Sequence, residues 1–438
     1  MTKDDTIREL QNASASLLIY RSLLKGEIGQ TFLNLLQVLQ GGKKVDLLNA
    51  YSDWFNALAC HNQTWQDYLL QQILIADNPF TRQVQQKALE GLPVPLVAAA
   101  RHDLQVFQYL YRCRSTQVCQ WVQGISPVPM PMPLVAWEVT PETVSPKNER
   151  ERWQIQLHEK LEYLDNVGQI LEELVAYYRQ FGTGTFAQYC AFRWQSGQLV
   201  GIGYPDRIRL SELKGYESPK AQLIKNTEFL LQGYSALNVL LYGSRGSGKS
   251  SLIKSLVWDY SDRGLRLIEV AKSDLIELPQ IVEHLRHQPQ KFIIFVDDLS
   301  FEEDDDAYKA LKVMLEGNLT GRPQNVVVYA TSNRRHLIRE YFGDRPRPKD
   351  SDEVHAWDTV QEKLSFSDRF GLTLTFEAAD QKTYLKIVRH LAKHSKIALQ
   401  LEELEFRALQ WATQHNGRSG RTARQFVDFL SAELKNKT

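Results

Sequence analysis

The sequence predicts a molecule in two parts, a helical first half and a second half with an α/β fold around a parallel sheet. In the first half, apolar residues recur at helical spacing, as at Phe32, Leu35, Leu36 and Leu39. In the second half, short apolar runs alternate with helical patterns, which is typical of strands buried on both faces of a parallel sheet. A glycine-rich loop between one such run and the next helix is the third observation.

Changes in texture divide the chain into five segments. The segments are a helical N-terminal domain over residues 1–123, a proline-rich linker over 124–146, a long helix with a connecting segment over 147–210, an α/β domain over 211–378 and a helical lid over 379–438. The alternating prolines of the linker favour an extended polyproline II conformation. A ligand for a proline-recognition module is the alternative to a simple linker.

Five short runs are predicted to form the parallel sheet. They are Asn238–Tyr242, Leu265–Val270, Phe292–Val296, Val326–Tyr329 and Leu372–Phe376. The lid is predicted to contain helices over Tyr384–His394, Glu402–Gln414 and Thr422–Leu434.

Composition excludes several classes of protein. The 438 residues are 43% hydrophobic and 24% charged, which is ordinary for a globular protein and unlike a disordered chain. Lys+Arg and Asp+Glu both number 52, so binding of nucleic acid by bulk charge is not favoured, although a local basic patch stays open. Four cysteines without a CxxC pair, no secretory signal and no apolar stretch of about 20 residues predict a soluble cytoplasmic protein without a membrane span.

The strongest motif is the glycine-rich sequence GSRGSGKS at residues 243–250. It follows an apolar run and precedes a helical pattern, which is the context of a phosphate-binding P-loop, or Walker A motif. We expect its residues and the one that follows to bind the phosphates of ATP: Gly243, Ser244, Arg245, Gly246, Ser247, Gly248, Lys249, Ser250 and Ser251. Lys249 is expected to reach the β- and γ-phosphates, and the Ser250 hydroxyl to bind Mg²⁺.

Two later strand ends carry polar residues that suit the same chemistry. The run Phe292–Val296 is followed by Asp297, expected to hold Mg²⁺, and Asp298, expected to act on the attacking water as a general base or orienting group. The run Val326–Tyr329 is followed after three residues by Asn333, whose amide is expected to contact that water or the γ-phosphate.

Taken together, these motifs resemble an AAA+ ATPase module over about residues 200–435. The resembling residues are LKGYESPKAQLIKNTEFLLQG, YGSRGSGKSSLIKSL, FVDDLSFEEDDDAYKALKVMLEG, VVVYATSNRRHLIRE, EKLSFSDRFGLTLTF and, in the tail, GRSGRTARQF. The sequence is most similar to a widespread bacterial family of predicted single-module AAA+ ATPases without a settled function. This resemblance implies a P-loop NTPase fold with a five-stranded parallel sheet and a helical lid.

The resemblance also implies roles for single residues. Asn333 matches the sensor-1 position, and Arg369 in SDRFG matches the arginine finger, which reaches the neighbouring subunit and so implies a homo-oligomeric ring or filament. Arg421 matches the sensor-2 arginine of the lid, with Arg424 as the second choice. Residues Gly215 and Tyr216 lie where AAA+ proteins line the adenine pocket.

One residue departs from the family pattern. Most AAA+ modules end the acidic strand in Asp-Glu, whereas this chain has Asp297-Asp298, and the second carboxylate is one methylene shorter. Either Glu302 or Glu303 substitutes for it, or hydrolysis is slow. The acidic run of residues 302–306 otherwise reads as a solvated first turn of the next helix, or as a loop that touches a client.

Three functions follow from these observations. The first is an ATP-hydrolysing protein that remodels or moves an unknown client. The second is a nucleotide-gated scaffold with little turnover. The third is a DNA-replication initiator or loader, because SDRFG also resembles bacterial initiators. The absence of room for a DNA-binding domain after the lid, and the near balance of charge over residues 1–210, speak against the third.

Overall fold

A computed structural model gives the structure of two compact units, Met1–Gln188 and Tyr189–Thr438. The residues described are 3–41, 43–124, 132–138, 149–163, 167–301, 306–316, 323–334, 337, 366–415 and 417–436.

The N-terminal unit is helical. Its α-helices are α1 Lys3–Ser16, α2 Glu27–Leu39, α3 Lys44–His61, α4 Trp65–Leu74, α5 Pro79–Val84, α6 Val94–Arg112, α7 Ser115–Gly124, α8 Glu149–Tyr163, α9 Val167–Phe181 and α10 Gly184–Gln188. Side-chain caps fix two of the starts: Thr64 forms a capping box with Asp67, and Asn78 accepts hydrogen bonds at the start of α5. The core is built around large aromatic side chains, among them Phe32, Trp54 and Trp65.

The predicted long helix after residue 147 is wrong. Lys160 on α8 pairs with Glu173 on α9, although 13 residues of continuous helix would separate them by about 20 Å. The two helices therefore pack against each other. Their apolar periodicity looks continuous because both bury leucines, such as Leu161 and Leu171, in the same core.

Part of the predicted linker is packed onto the N-terminal unit. Residues 132–138, which we call the strap, are extended, and Leu134, Ala136 and Trp137 pack against the core of that unit. The prolines at 127, 129, 131, 141 and 146 lie outside the described residues.

The C-terminal unit is built on a seven-stranded sheet. Its strands are β1 Ala191–Gln195, β2 Gln198–Gly201, β3 Val239–Gly243, β4 Leu265–Glu269, β5 Lys291–Val296, β6 Val326–Ser332 and β7 Leu372–Phe376. They lie in the order β2-β1-β4-β5-β6-β3-β7. The last five, which the sequence predicts, pair in parallel, and so do β1 and β4, whereas β2 is antiparallel to β1.

Strands β1 and β2 extend the predicted five-stranded sheet, and they lie within residues 147–210, where the sequence predicts a long helix and a connecting segment. In β1, buried and exposed residues mix, so this edge hairpin lacks the continuous apolar run of the inner strands. Its turn is Ser196-Gly197, both with positive φ, which is the geometry and one of the sequence signals of a tight hairpin.

Helices cover this sheet and follow it. They are α11 Glu217–Leu231, α12 Lys249–Tyr260, α13 Leu278–Leu285, α14 Asp306–Glu316, α15 Gln381–His394, α16 Leu401–Gln414 and α17 Gly420–Lys435. The last three pack on one another around Tyr384, Val388 and Val427, and confirm the predicted helical lid. In the described parts of the chain, no helix is long and apolar enough to span a membrane.

Strand order determines where polar residues meet. Strand β6 lies between β3, which precedes the glycine-rich loop, and β5, which precedes Asp297. The carboxyl ends of these three parallel strands share one edge of the sheet, where open α/β sheets bind their ligands.

Candidate functional site

The glycine-rich loop joins β3 to α12 in a backbone conformation that requires glycine. Gly243, Gly246 and Gly248 have φ of 131°, 72° and 94°. A Cβ on Gly243 would lie 2.0 Å from the Phe376 carbonyl oxygen, and the same oxygen accepts a 2.8 Å hydrogen bond from the Ser244 N–H. The loop is thereby fixed to the neighbouring strand β7.

Helix α12 begins at Lys249, directly after the loop. The first N–H groups of a helix have no acceptor within it, and they carry the positive end of the helix dipole. Lys249, Ser250 and Ser251 line the cleft described below. This edge of the sheet therefore offers donors to an anion such as a phosphate.

Lys249 is 6% exposed and is held by the loop itself. Its Nζ donates to the carbonyl oxygens of Gly243 and Ser244, at 2.9 and 2.8 Å, and lies 3.4 Å from the Asn333 Oδ1. Burial lowers the pKa of the Lys249 ammonium, and the carboxylates of Asp298 and Asp297 oppose that shift. The cation is thus positioned between the loop and two strand ends.

Asp297, at the end of β5, has two hydroxyl neighbours. The Ser250 Oγ donates to its Oδ1 at 2.6 Å, and the Thr331 Oγ1 donates to the same oxygen at 2.5 Å. Mg²⁺ in phosphate sites takes one or two protein oxygens and completes its shell with phosphate and water. Ser250 and Asp297 fit that donor set, and the described residues contain no group of three or more His, Cys, Asp or Glu side chains that could hold a metal by themselves.

Asp298 adopts a left-handed backbone conformation, with φ of 50°. Its N–H donates to the Thr331 Oγ1 at 3.0 Å, and its Oδ1 accepts a 2.6 Å hydrogen bond from the Asn333 Nδ2. Non-glycine residues with this φ persist where the surrounding contacts hold them, often at functional sites. The contacts from β6 hold the backbone and the carboxylate of Asp298 beside Lys249.

The lid approaches the loop through the N-terminus of α17. The Arg421 N–H donates to the Gly246 carbonyl oxygen at 3.1 Å. A Cβ on Gly246 would lie 2.9 Å from the Ser419 Oγ and 3.2 Å from the Arg421 Cβ, so glycine allows the close approach. Ser419 caps α17 by accepting from the Thr422 N–H.

Residues Gly215 and Tyr216 form the other end of the site. Both have positive φ, and the Tyr216 hydroxyl donates to the Glu377 carbonyl oxygen at 2.7 Å. The Tyr216 ring lies 5.1 Å from the Phe376 ring, and burial raises the pKa of its phenol. Apolar Ile387 and Leu391 of α15 lie on the same cleft.

A cleft of about 620 Å³ gathers most of these residues. Of the predicted site residues, those that line it are Gly215, Tyr216, Arg245, Gly246, Ser247, Gly248, Lys249, Ser250, Ser251, Asp297, Asp298, Asn333 and Arg421. Gly243 and Ser244 begin the loop, and their carbonyl oxygens hold the Lys249 ammonium. Residues 302–305, which include the two glutamates proposed as substitutes, lie outside the described residues.

Arg369 does not belong to the set of described residues that line the cleft. It ends a short 3₁₀ turn, Phe366–Arg369, and its guanidinium lies 6.0 Å from the centre of the Phe366 ring. Its position before β7 therefore separates it from the residues gathered at the loop.

Sequence reasoning missed several residues of the cleft. Thr331 touches both acidic residues, and Phe376 and Ile387 supply apolar walls. Thr331 lies two residues before Asn333 in the polar end of β6, and that spacing could have suggested it. Arg424, the second choice for the lid arginine, lines the cleft and pairs with Glu212 at 3.7 Å.

The strand order, the loop and the lid define an α/β P-loop fold of the AAA+ class, as the sequence predicts. The chain belongs to the family described as "Protein of unknown function (DUF815)", which matches residues 187–434, more than half of the sequence.

Solved structures include distant likenesses. The chain is similar to the RuvB Holliday junction branch migration motor of Thermotoga maritima at 15% identity and a TM-score of 0.37, over 52% of this chain and 66% of that one, just under two thirds. It is similar to the FIGL-1 AAA domain in complex with ADP at 16% identity and a TM-score of 0.35, over 53% of this chain and 75% of that one. Neither likeness is close enough to indicate a function. A comparison with curated proteins gives no match.

Proposed function

We propose that the protein binds ATP with Mg²⁺ in the cleft, hydrolyses it, and couples nucleotide state to remodelling or assembly of a protein client. The observation that carries the proposal is the hydrogen-bonded chain of Ser250, Asp297, Thr331, Asp298 and Asn333 next to the Lys249 ammonium. A buried structural network would not need a cation, two carboxylates and a helix N-terminus to converge on one open cleft.

Each residue has a role in this proposal. The loop N–H groups and Lys249 bind the phosphates, and Ser250 with Asp297 hold Mg²⁺, which when bound neutralises phosphate charge. Asp298 accepts a proton from, or orients, the attacking water. Asn333 contacts that water or the γ-phosphate. Arg421 contributes a cation from the lid, and the segment around Tyr216 receives the base.

Two substitutions test binding and hydrolysis separately. We expect Lys249→Ala to remove most ATP affinity in calorimetry, because the cation that reaches the β- and γ-phosphates is lost. Asp298→Asn should keep ATP affinity and lower phosphate release, because the amide cannot take up a proton. Lys254→Ala is the matched control, since Lys254 lies on the same helix and contacts the Phe295 ring. ATP binding by Lys249→Ala at wild-type affinity would refute the phosphate site.

A scaffold with little turnover is the second candidate, and one contact favours it. The short Asp298 carboxylate is hydrogen-bonded to Asn333, so the amide could restrain the base. Asn333→Ala separates the two functions by the sign of its effect. A fall in the rate of phosphate release supports Asn333 as an orienting residue of an ATPase, whereas a rise supports a restrained, slowly turning scaffold.

The remaining features are proposals of the same kind. We propose that Arg369 acts on a neighbouring subunit in a homo-oligomer, and that the DUF815 family is the bacterial AAA+ family that the motifs resemble, because its match covers the same residues. A cytoplasmic location stays a prediction, and nucleic-acid binding stays an open alternative that the balanced charge does not favour. Since nothing in the described residues favours a replication initiator or loader, we do not propose that function.

A further inference from the structure

The strap of residues 132–138 lies in a groove between α3 and α7 of the N-terminal unit. It comes from the proline-rich segment whose function the nucleotide site leaves unexplained. Helix α3 contributes Tyr51 and Phe55 to the groove, and α7 contributes Cys119 and Gln123.

Side chains of the groove bind the main chain of the strap. The Tyr51 hydroxyl donates to the Val135 carbonyl oxygen at 2.7 Å, and the Gln123 Nε2 donates to the Leu134 carbonyl oxygen at 3.0 Å. The Cys119 Sγ lies 3.6 Å from the same Leu134 oxygen. Contacts to carbonyl oxygens recognise an extended backbone and depend little on which side chains it carries.

One aromatic side chain anchors the strap. The Trp137 ring meets the Phe55 ring edge to face, with centres 5.6 Å apart and planes at 87°. Leu134 and Ala136 are also partly buried, whereas Val135 is 69% exposed. Leu134, Ala136 and Trp137 therefore face the groove, and Val135 faces solvent.

These contacts are typical of the recognition of an extended peptide. Proline has no N–H and favours an extended helix without internal hydrogen bonds, so its segments are bound through carbonyl oxygens and by aromatic grooves. The strap is held by side-chain contacts to two of its carbonyl oxygens, by the Trp137–Phe55 pair and by the partial burial of Leu134 and Ala136, a set that a second peptide of the same sequence could also make.

We propose that the α3–α7 groove is a binding site for an extended, proline-containing segment of a client protein with a tryptophan anchor, and that the strap is its internal competitor. Release of the strap opens the groove to the client. The proposal does not depend on the nucleotide site, and its test uses no nucleotide.

The test measures binding of the fluorescent nonapeptide PMPLVAWEV, the sequence of residues 131–139, to the full-length chain by anisotropy. In Trp137→Ala, the strap loses its anchor and the groove should open. Apparent affinity falls in proportion to the fraction of open molecules. A strap closed in nine molecules of ten would thus weaken wild-type binding about tenfold relative to Trp137→Ala. Val135→Ser is the matched control and should bind as weakly as the wild type, because its side chain faces solvent.

A second substitution locates the binding. In the Trp137→Ala background, Gln123→Ala should weaken probe binding, since it removes a donor to the peptide backbone. The proposal is overturned if Trp137→Ala, folded by circular dichroism, binds the probe no more tightly than the wild type. It is equally overturned if Gln123→Ala leaves binding to the opened groove unchanged.

Discussion

Asp103 in the N-terminal unit and Thr331 in the C-terminal unit are both buried polar residues, but they make different kinds of contact. The Asp103 carboxylate accepts hydrogen bonds from the N–H groups of Leu18, Ile19 and Tyr20, at 2.8 to 3.1 Å. Asp103 therefore holds the backbone that follows α1. Thr331 contacts two carboxyl-bearing residues that face an open cleft.

This difference distinguishes two roles of a buried polar side chain, one in stability and one in function. A charged group that is fully enclosed by its own backbone donors contributes to stability, and its removal leaves those donors unpaired. A hydroxyl that positions acidic residues at the end of a strand contributes to how these residues bind a ligand or act on it chemically. The four predictions below test this contrast.

The largest expected effect is that of Arg369→Ala on hydrolysis. Arginine fingers contribute about 10³–10⁵ to the rate of phosphoryl transfer, so the substitution should abolish turnover and leave ATP affinity nearly intact. A mixture of Arg369→Ala with Lys249→Ala chains should recover part of the rate. One chain then supplies the intact loop and the other the intact arginine. Such a recovery would mean that ATP hydrolysis by the C-terminal unit requires two copies of the chain.

The mixing experiment has a clear contrary result. If the two variants assemble together, shown by light scattering, and no rate returns, Arg369 does not act between subunits. Full-rate turnover by a wild-type chain that stays monomeric with ATP would also rule out the shared site.

Asp103→Ala should give the largest loss of stability in the N-terminal unit. Three backbone N–H groups lose a charged acceptor in a side-chain position that is 0% exposed, and we expect a loss of about 3–5 kcal/mol in the free energy of unfolding. Denaturant titration measures it, with the exposed Asp53→Ala as control. ATP affinity should be unchanged. A variant as stable as the control would contradict the structural role of Asp103.

The sequence was sufficient to predict the P-loop fold because the inner strands of the sheet are buried on both faces. Such strands are continuous apolar runs, and β3, β4 and β5 lie within one residue of the predicted bounds. The edge hairpin of β1 and β2 was missed because its exposed positions interrupt the run. The packing of α8 against α9 as two helices was missed because apolar periodicity describes a helical face and not the direction of the helix.

The candidate site was predictable where residues are adjacent in sequence or follow neighbouring parallel strands, because the geometry is then fixed locally. Loop residues such as Gly246 and Lys249 are adjacent in sequence, and Asp297 and Asn333 follow strands whose ends must meet. Ile387 was not predictable in this way, because its place on the cleft arises only when separate elements pack together.

Thr331→Val tests whether the buried Thr331 hydroxyl of the C-terminal unit contributes to the rate of ATP hydrolysis. Valine keeps the shape, but it cannot donate to Asp297 or accept from the Asp298 N–H. Small misplacements of catalytic groups cost up to about 10²-fold in rate, so phosphate release should fall about 10- to 100-fold while ATP affinity changes little. Thr373→Val, at an exposed position on β7, is the control. Equal rates for both variants would make Thr331 merely structural.

The smallest expected effect concerns His390 on the lid helix α15. Burial lowers the pKa of this imidazole, and His394, whose ring centre lies 4.5 Å away, lowers it further, as do Lys214 and Lys220. A backbone hydrogen bond at Ser211 opposes them. A histidine with a lowered pKa binds protons more readily in the unfolded chain, so acid favours unfolding.

The lid should therefore lose some stability as the pH falls through the ordinary histidine pKa of about 6.5. Calorimetry between about pH 7.5 and 5.5 would follow the transition of the C-terminal unit, identified by its upward shift with ATP. His390→Gln should flatten the pH dependence, because the uncharged amide does not titrate. His102→Gln, in the N-terminal unit, should leave that dependence in place. The same slope in both variants would mean that the proton is taken up elsewhere, and that burial of His390 contributes nothing to the acid sensitivity of the lid.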